Sequence, residues 1–519
     1  MDPVYRQEVL NMALGSMKSW PRRPIIYEIN AWVWLNELSR RYGRSIKLDT
    51  VPAKEWDQLA EQGFDGVWLM GVWERSPAGR EISLNTPALQ EEYRRTLPDF
   101  TAEDVSGSPY CIRRYVVDER LGGKAGLAVA RKALASRKLR LLLDFVPNHV
   151  APDHPWVADH PEYFVQGTRE DLERDPASFL ARGSGALARG RDPYFPAWPD
   201  TVQLNAFSPG LRLAVAATLA EIAGQCDGVR CDMAMLLLNS VFSRTWKDRA
   251  GPVPESEYWR EVIGKVRQKF PAFLFVAEAY WDLEWELQQQ GFDFCYDKRL
   301  YDRLVHEDAH SVRGHLSAGL EYQDHLIRFL ENHDEPRSAA TFFDAKGRAA
   351  AMVIMTTPGA KLLHEGQFEG ARVKLSVHLG RRPQEPIDAS LHEFYGDLLK
   401  LVTERQLLEG EWHMCECQGW PDNNSNANLL AWCWTRGDMR YAIVINYSDS
   451  SSQGNVQLPW QDLRGQAWNV SDDINGETYE PRDGDDLGSS GLYVSLPPWG
   501  YHFMRLMEAG AARGKRKVA

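Results

Sequence analysis

The sequence predicts an α/β chain built on a (β/α)8 TIM barrel, with a small irregular insertion after the third strand and a C-terminal antiparallel β domain. Three observations carry this. Short apolar runs alternate with helical periodicity from residue 25 to about 365, which calls for a parallel sheet covered by helices. Four of those runs, 139–150, 227–235, 273–282 and 328–337, end in Asp, Glu, His or Asn, as if they opened on one polar mouth. After residue 408 the texture changes to strand-like runs separated by Asn, Asp, Gly and Ser.

In order, residues 1–24 read as a helical lead-in that stops at Pro21 and Pro24, and IIYEINAWVWL (25–35) as the first barrel strand. A helix follows over 50–63, ended by Gly63, then a second strand over 64–73. SPAG (76–79) and GSPYCIRRY (107–115), rich in turn residues, read as loop. A helix at 126–139 leads to a third strand at 140–146. From His149 to about Phe207 the periodicity is lost among Pro, Gly, Trp and charges, which marks an inserted segment. Alternation then resumes: helix 211–225, strand from 228, helix 256–270, strand from 273, strand 292–296, strand 327–331, helix 338–355, strand 360–364. The expected division is a barrel over 1–149 and 208–408, an insertion over 150–207, a β-sandwich over 409–507 and a disordered tail over 508–519. Strands of the last domain are expected at 429–436, 439–448 and 491–506.

Bulk properties narrow the function. The chain has 519 residues, 44% hydrophobic and 25% charged, ordinary for a globular protein large enough for more than one domain. A net charge of −12 argues against a nucleic-acid partner. No run is apolar enough to span a membrane, and the N-terminus lacks the pattern of a signal peptide. The seven cysteines are odd in number and match no disulfide framework or zinc spacing, so reduced thiols and a cytoplasmic setting are expected. Nineteen tryptophans supply rings able to stack on sugar faces, although most will serve core or rim.

The stretch Gly228-Val229-Arg230-Cys231-Asp232 is the pivot. Strand alternation puts Arg230 and Asp232 on one side, and a buried guanidinium beside a carboxylate keeps the latter ionised, as a nucleophile requires. Taken alone, a structural ion pair explains the two residues equally well. Glu278 follows five apolar residues, a setting that raises a carboxyl pKa and suits an acid. Breaking a glycosidic bond needs this contrast, one carboxyl protonated and one ionised at the same pH. Asp144 reads as structural, orienting Arg230 or a neighbouring loop.

Together, Asp-x-x-x-Asn-His at 144–149, Gly-x-Arg-x-Asp at 228–232, the strand-end Glu278 and Asn-His-Asp at 332–334 resemble, in order, the motifs of the α-amylase superfamily of retaining glycosidases and transglycosylases. The resemblance covers most of the chain. It implies Asp232 as nucleophile, Glu278 as acid/base and Asp334 as the carboxylate that stabilises the transition state. It implies Arg230 as partner of the nucleophile, His149 and His333 as hydrogen-bond donors to the sugar, and Tyr110 as the ring that stacks on it. Gln203-Leu204-Asn205 resembles the family's short motif at the end of the inserted domain, which adds Gln203 to the substrate-binding set. Many members carry Lys-His shortly after the nucleophile, where this chain has Met235 and Leu236. That departure weakens the carry-over of a calcium site, for which Asn148 is the surviving side-chain ligand and Asp153, Asp159 and Asp175 the other oxygen sources. No cofactor is required on this reading.

The expected function is hydrolysis of α-1,4-linked glucans or maltooligosaccharides through a covalent glycosyl–Asp232 intermediate. The alternatives are an α-glucan transglycosylase on the same scaffold and an inactive carbohydrate-binding protein. Chain-length preference and oligomeric state do not follow from the sequence.

Overall fold

The computed structural model describes residues 19–509. Most of the expected N-terminal lead-in and nearly all of the expected tail lie outside the described residues, and Glu508 belongs to the last strand rather than to a tail.

Eight parallel strands close into a barrel in which each neighbours the next in sequence. They are β1 (Ile25–Asn30), β2 (Gly66–Met70), β3 (Arg140–Phe145), β4 (Gly228–Cys231), β5 (Leu274–Ala277), β6 (Phe294–Tyr296), β7 (Leu326–Arg328) and β8 (Ala360–His364). Nearly every strand residue is buried, as expected where one face meets the barrel interior and the other the helices. Alternation sorts them. Ile26, Trp68, Met70, Leu142, Leu274, Val276, Ile327 and Leu362 fill the interior. Val67, Leu69, Leu141, Leu143, Val229 and Phe275 pack outward against the helical layer. The same period of two turns Glu28, Asp144, Arg230, Asp232 and Glu278 inward above the apolar layer. The polar mouth is thus the next layer of the core, built from the C-terminal strand ends.

Several elements differ from the sequence reading. Residues 31–35 start the helix Ala31–Tyr42 instead of extending β1, because the side chain of Asn30 accepts from the Val33 backbone N–H at 3.4 Å and caps a new helix. The stretch after β2 holds two helices, Pro77–Leu84 and Pro87–Thr96, where loop was expected. Proline sits at the first position of each, and Ser76 Oγ accepts from the Gly79 N–H at 2.8 Å. The run 491–506 is two strands, Leu492–Leu496 and Tyr501–Glu508, split by prolines and by Trp499 at a left-handed φ of 57°. The sequence reading also passed over the strand Ala467–Asp472, which pairs with Tyr501–Glu508.

Two antiparallel sheets form the C-terminal part, enclosing a second core that includes Leu429, Val444, Val456, Trp468 and Val494. It is fixed to the barrel by indole hydrogen bonds. Trp432 Nε1 donates to Thr356 Oγ1 at 3.2 Å and Trp434 Nε1 to the Thr356 carbonyl at 2.7 Å. All seven cysteines are free thiols. Among the described residues, no helix is long and apolar enough to cross a membrane.

Gly228 opens β4 where no side chain fits: a Cβ there would lie 2.7 Å from the Leu274 Cβ and 2.9 Å from its carbonyl oxygen. Gly228→Ala therefore forces β4 away from β5 two residues before Arg230. Overpacking of this kind costs about 1–3 kcal/mol. Differential scanning calorimetry should show a lower unfolding temperature, and an unchanged transition would contradict the tight register.

Candidate active site

Four strand ends and three loops supply the mouth. Asp232 directly follows β4 and Glu278 directly follows β5. His149 lies past the end of β3, and Asn332, His333 and Asp334 lie past β7. Tyr110 arrives on the loop between β2 and β3. The structure brings Asp232, Glu278, Asp334, Arg230, His333 and Tyr110 together, and His149 borders the same group.

Arg230 is the hub. Its guanidinium donates to Asp232 Oδ1 at 2.7 Å, lies 2.8 Å from Glu278 Oε2, and reaches within 3.6 Å of Asp334 Oδ2. The side chain is only 1% exposed. The rings of Trp68, Tyr110 and Tyr296 surround it, with centroids 5.5, 5.2 and 5.7 Å from the guanidinium carbon. Sequence reasoning paired Arg230 with Asp232 and, as one option, with Asp144; alternation places Glu278 inward on the adjacent strand, so one cation serves three carboxylates.

Glu278 is the carboxyl set apart. Burial pushes it up to about 7, against the opposing pull of Arg230 and with help from the charges of Asp232 and Asp334. Its orientation is fixed from both sides. The Met233 backbone N–H donates to Oε2 at 2.5 Å, and the Tyr280 hydroxyl donates to Oε1 at 2.9 Å. Met233 reaches that position in a left-handed conformation, φ 43°, uncommon for a side chain of this size. Trp281 and Asp282, just beyond Glu278, are also left-handed, with φ of 65° and 59°.

Asp334 behaves in the opposite way. Burial works to raise its pKa, but His333 and Arg230 outweigh it and hold the carboxyl well below the usual range. Asn332 positions it by accepting, through Oδ1, from the backbone N–H groups of Asp334 and Glu335, both at 2.9 Å. Lys374 donates to the Asp334 carbonyl from the loop after β8. His333 lies between two carboxylates, with Nδ1 2.5 Å from Glu28 Oε1 and Nε2 2.9 Å from Asp334 Oδ2. Burial opposes its charge, yet Asp334 and Glu28 raise its pKa to about 10. The Tyr110 hydroxyl lies 2.6 Å from the same Nε2, and the two rings stack with centroids 5.4 Å apart.

Around this group, Asp144 is fully buried and holds the loop after β2: Trp68 Nε1 donates to Oδ1 at 3.1 Å and the Gly71 N–H to Oδ2 at 2.6 Å. Burial raises it to about 6. His149 pairs in register with Gln203 and packs against Trp198, and burial lowers its pKa. Gln203 departs from the substrate-binding role expected of it. It is fully buried, and its amide nitrogen donates to Asn148 O and Oδ1, both at 2.9 Å, and to Leu204 O at 3.0 Å. It latches the insertion to β3 and braces His149.

The calcium set does not assemble. Asn148 Oδ1 is taken by Gln203. Asp153 accepts from Ser76 and faces Arg113 at 3.5 Å, while Asp175 accepts from the Ser178 N–H. Among the described residues, no group of three or more His, Cys, Asp or Glu could hold a metal ion. The residues present do not fit the ion.

Glu28, Met233, Tyr280 and Tyr296 escaped the sequence reading. Glu28 had a usable signal, a lone acid two residues after Ile26 in an apolar strand. The Met233 contact is made by backbone and left none.

No family model matches the chain. "Alpha-amylase MalA" of Haloarcula japonica is 23% identical over 463 residues, covering 85% of this chain and 57% of its own length. The chain is similar to proteins named as α-amylases. It is also 24% identical over 229 residues to "Alpha-1,4-glucan:maltose-1-phosphate maltosyltransferase" of Bifidobacterium longum, covering 43% of this chain and 25% of that one. It therefore spans little more than half the length of the first of these relatives and a quarter of the second. In fold it is similar to the maltogenic α-amylase AmyB of Thermotoga neapolitana, with a TM-score of 0.67, 18% identity, and coverage of 94% of this chain and 99% of that one.

The His333 bridge has a sign that can be checked. Its folded pKa of about 10 lies above the ordinary value of about 6.5, so its contribution to stability is complete below about 6.5 and is lost as pH rises through 10. Glu28→Gln removes one of the two flanking charges. Histidine NMR titration should then show the His333 transition moved to lower pH, and an unmoved transition would contradict the bridge.

Proposed function

We propose that this protein is a retaining glycoside hydrolase acting on α-1,4-linked glucans or maltooligosaccharides, with the α-glucan as its partner. The observation that carries the reading is the single buried guanidinium of Arg230 among three carboxylates, with Glu278 raised to about 7 and Asp334 lowered. That is the division of protonation a glycosidic bond needs.

In this reading Asp232 attacks the anomeric carbon as the bond to the leaving oxygen breaks, and Glu278 gives its proton to that oxygen. A glycosyl ester of Asp232 results. Glu278, now ionised, takes a proton from water, which attacks the same carbon and releases Asp232. The proton returns to Glu278, so the cycle balances. Asp334 remains ionised and places negative charge beside the oxocarbenium-like transition state without forming a bond. Charged His333 keeps Asp334 ionised, and His149 is a donor toward the sugar. Arg230 shifts its attraction toward whichever carboxylate carries charge, so the swap at Glu278 leaves no uncompensated buried ion.

Transfer to a sugar acceptor in place of water is the second reading. It uses the same ester and is favoured by the maltosyltransferase among the relatives and by the wholly buried, apolar Met235 and Leu236 after the nucleophile. Chromatography of maltotriose digests separates the two: longer products mean transfer, shorter ones hydrolysis.

Asp232→Asn and Glu278→Gln, prepared separately, should each lower kcat on maltooligosaccharides by roughly 10²–10⁴-fold. Near-normal turnover in either overturns the assignment. For the wild type, kcat/KM should fall as pH rises through about 7, as the Glu278 proton is lost, and Glu278→Gln should lose that limb.

A further inference from the structure

The smaller sheet of the C-terminal part presents polar and aromatic side chains on its outer face. Its strands are Cys417–Gln418, Ser452–Val456 and Leu492–Leu496. Alternation sends Val456, Leu492, Val494 and Leu496 into the core. Gln418, Gln453, Asn455, Tyr493 and Ser495 point outward. Register aligns Gln418 with Asn455 and Asn455 with Tyr493, and beside that row Gln453 with Ser495.

None of these five outward positions is charged, in a chain that is 25% charged. None is aliphatic. Next to them a tight turn, closed by reciprocal backbone hydrogen bonds between Trp420 and Asn423 at 3.1 and 2.8 Å, presents an indole. The Trp420 and Tyr493 rings lie side by side, centroids 6.4 Å apart and planes inclined by 36°. They are 36% and 54% exposed. The Tyr493 hydroxyl donates to Gln453 Oε1 at 2.7 Å, which couples the ring to an amide whose nitrogen is a hydrogen-bond donor.

We propose that this face is a second binding site, on a different part of the chain from the barrel mouth, for a neutral polysaccharide. Charge complementarity selects the occupant. Phosphate, nucleic acid or an acidic peptide would need cations here, and a protein partner of ordinary composition would meet neither charges nor aliphatic groups. A sugar polymer has apolar C–H faces that lie on aromatic rings and hydroxyls that both donate and accept, as amides do. Two inclined rings match successive residues of a curved chain better than a flat one, which favours an α-glucan. That choice of glucan rests on the substrate reading above; the site itself rests on the face.

The test uses the full chain and two variants, Trp420→Ala and Trp420→Ala/Tyr493→Ala, in native gels cast with soluble amylopectin or with a β-1,4-glucan derivative. Both side chains are exposed, and calorimetry checks that the variants stay folded. The wild type should be retarded by amylopectin and less by the β-glucan. The double variant should lose at least threefold in apparent affinity, with kcat and KM on maltotriose unchanged. Equal retardation of wild type and double variant, or no retardation of the wild type by either polymer, overturns the proposal. Equal or stronger retardation by the β-glucan overturns the choice of glucan. Failure of the substrate reading would show separately, as no turnover of maltotriose by the wild type.

Discussion

Everything at the mouth depends on how one buried charge is neutralised. Arg230 has almost no contact with solvent, and an unpaired guanidinium in that place would cost several kcal/mol. The chain meets this cost with three carboxylates and three aromatic rings drawn from separate parts of the sequence. The arrangement carries more negative than positive charge, and that excess gives it its chemistry. One carboxyl must stay poised to hold a proton, and the one most shut off from water, Glu278, does so. A second cation, His333, pairs with Glu28 and Asp334 on the far side.

The packing beneath explains why the charges stay in place. Interior side chains of the barrel form an apolar layer, and period-two alternation raises the polar residues onto the next layer without any irregular turn inside the strands. The strain sits just past the strand ends, at Met233, Trp281 and Asp282. The turn at Met233 delivers a backbone N–H to Glu278, an effect no side chain at that position is needed for. Asp144 ties the β2 loop to β3, and the Asn148–Gln203 latch ties the insertion to the same strand. Hydrogen bonds between neutral amides thus fix the insertion where several oxygens around a cation would be the other solution.

Much of this was legible in the sequence. The four polar-ended apolar runs located β3, β4, β5 and β7, and the strand expected at 360–364 is β8 in full. Three kinds of feature were not legible. Helices inside loops were hidden because a proline that reads as a turn signal, as in SPAG at 76–79, is also a good first residue of a helix, the position that Pro77 and Pro87 both take. Residues with two plausible jobs went to the wrong one, as with Gln203, whose motif says nothing of whether the amide faces sugar or backbone. Contacts made by backbone or by a shared partner, such as Met233 with Glu278 or Arg230 with all three acids, depend on distances across strands that one-dimensional spacing does not encode. Glu28 stands apart: the alternation argument applied to Arg230 reaches it as readily.

The account is tested most directly by trapping the ester. Incubation with a fluorinated α-glucosyl fluoride, in which fluorine slows breakdown of the intermediate more than its formation, followed by mass spectrometry of proteolytic peptides, reads out where the sugar is attached. The account predicts one glycosyl adduct per chain, on the peptide containing Asp232 and on that carboxylate. An adduct on another residue, or turnover with inversion at the anomeric carbon and no adduct, would contradict it.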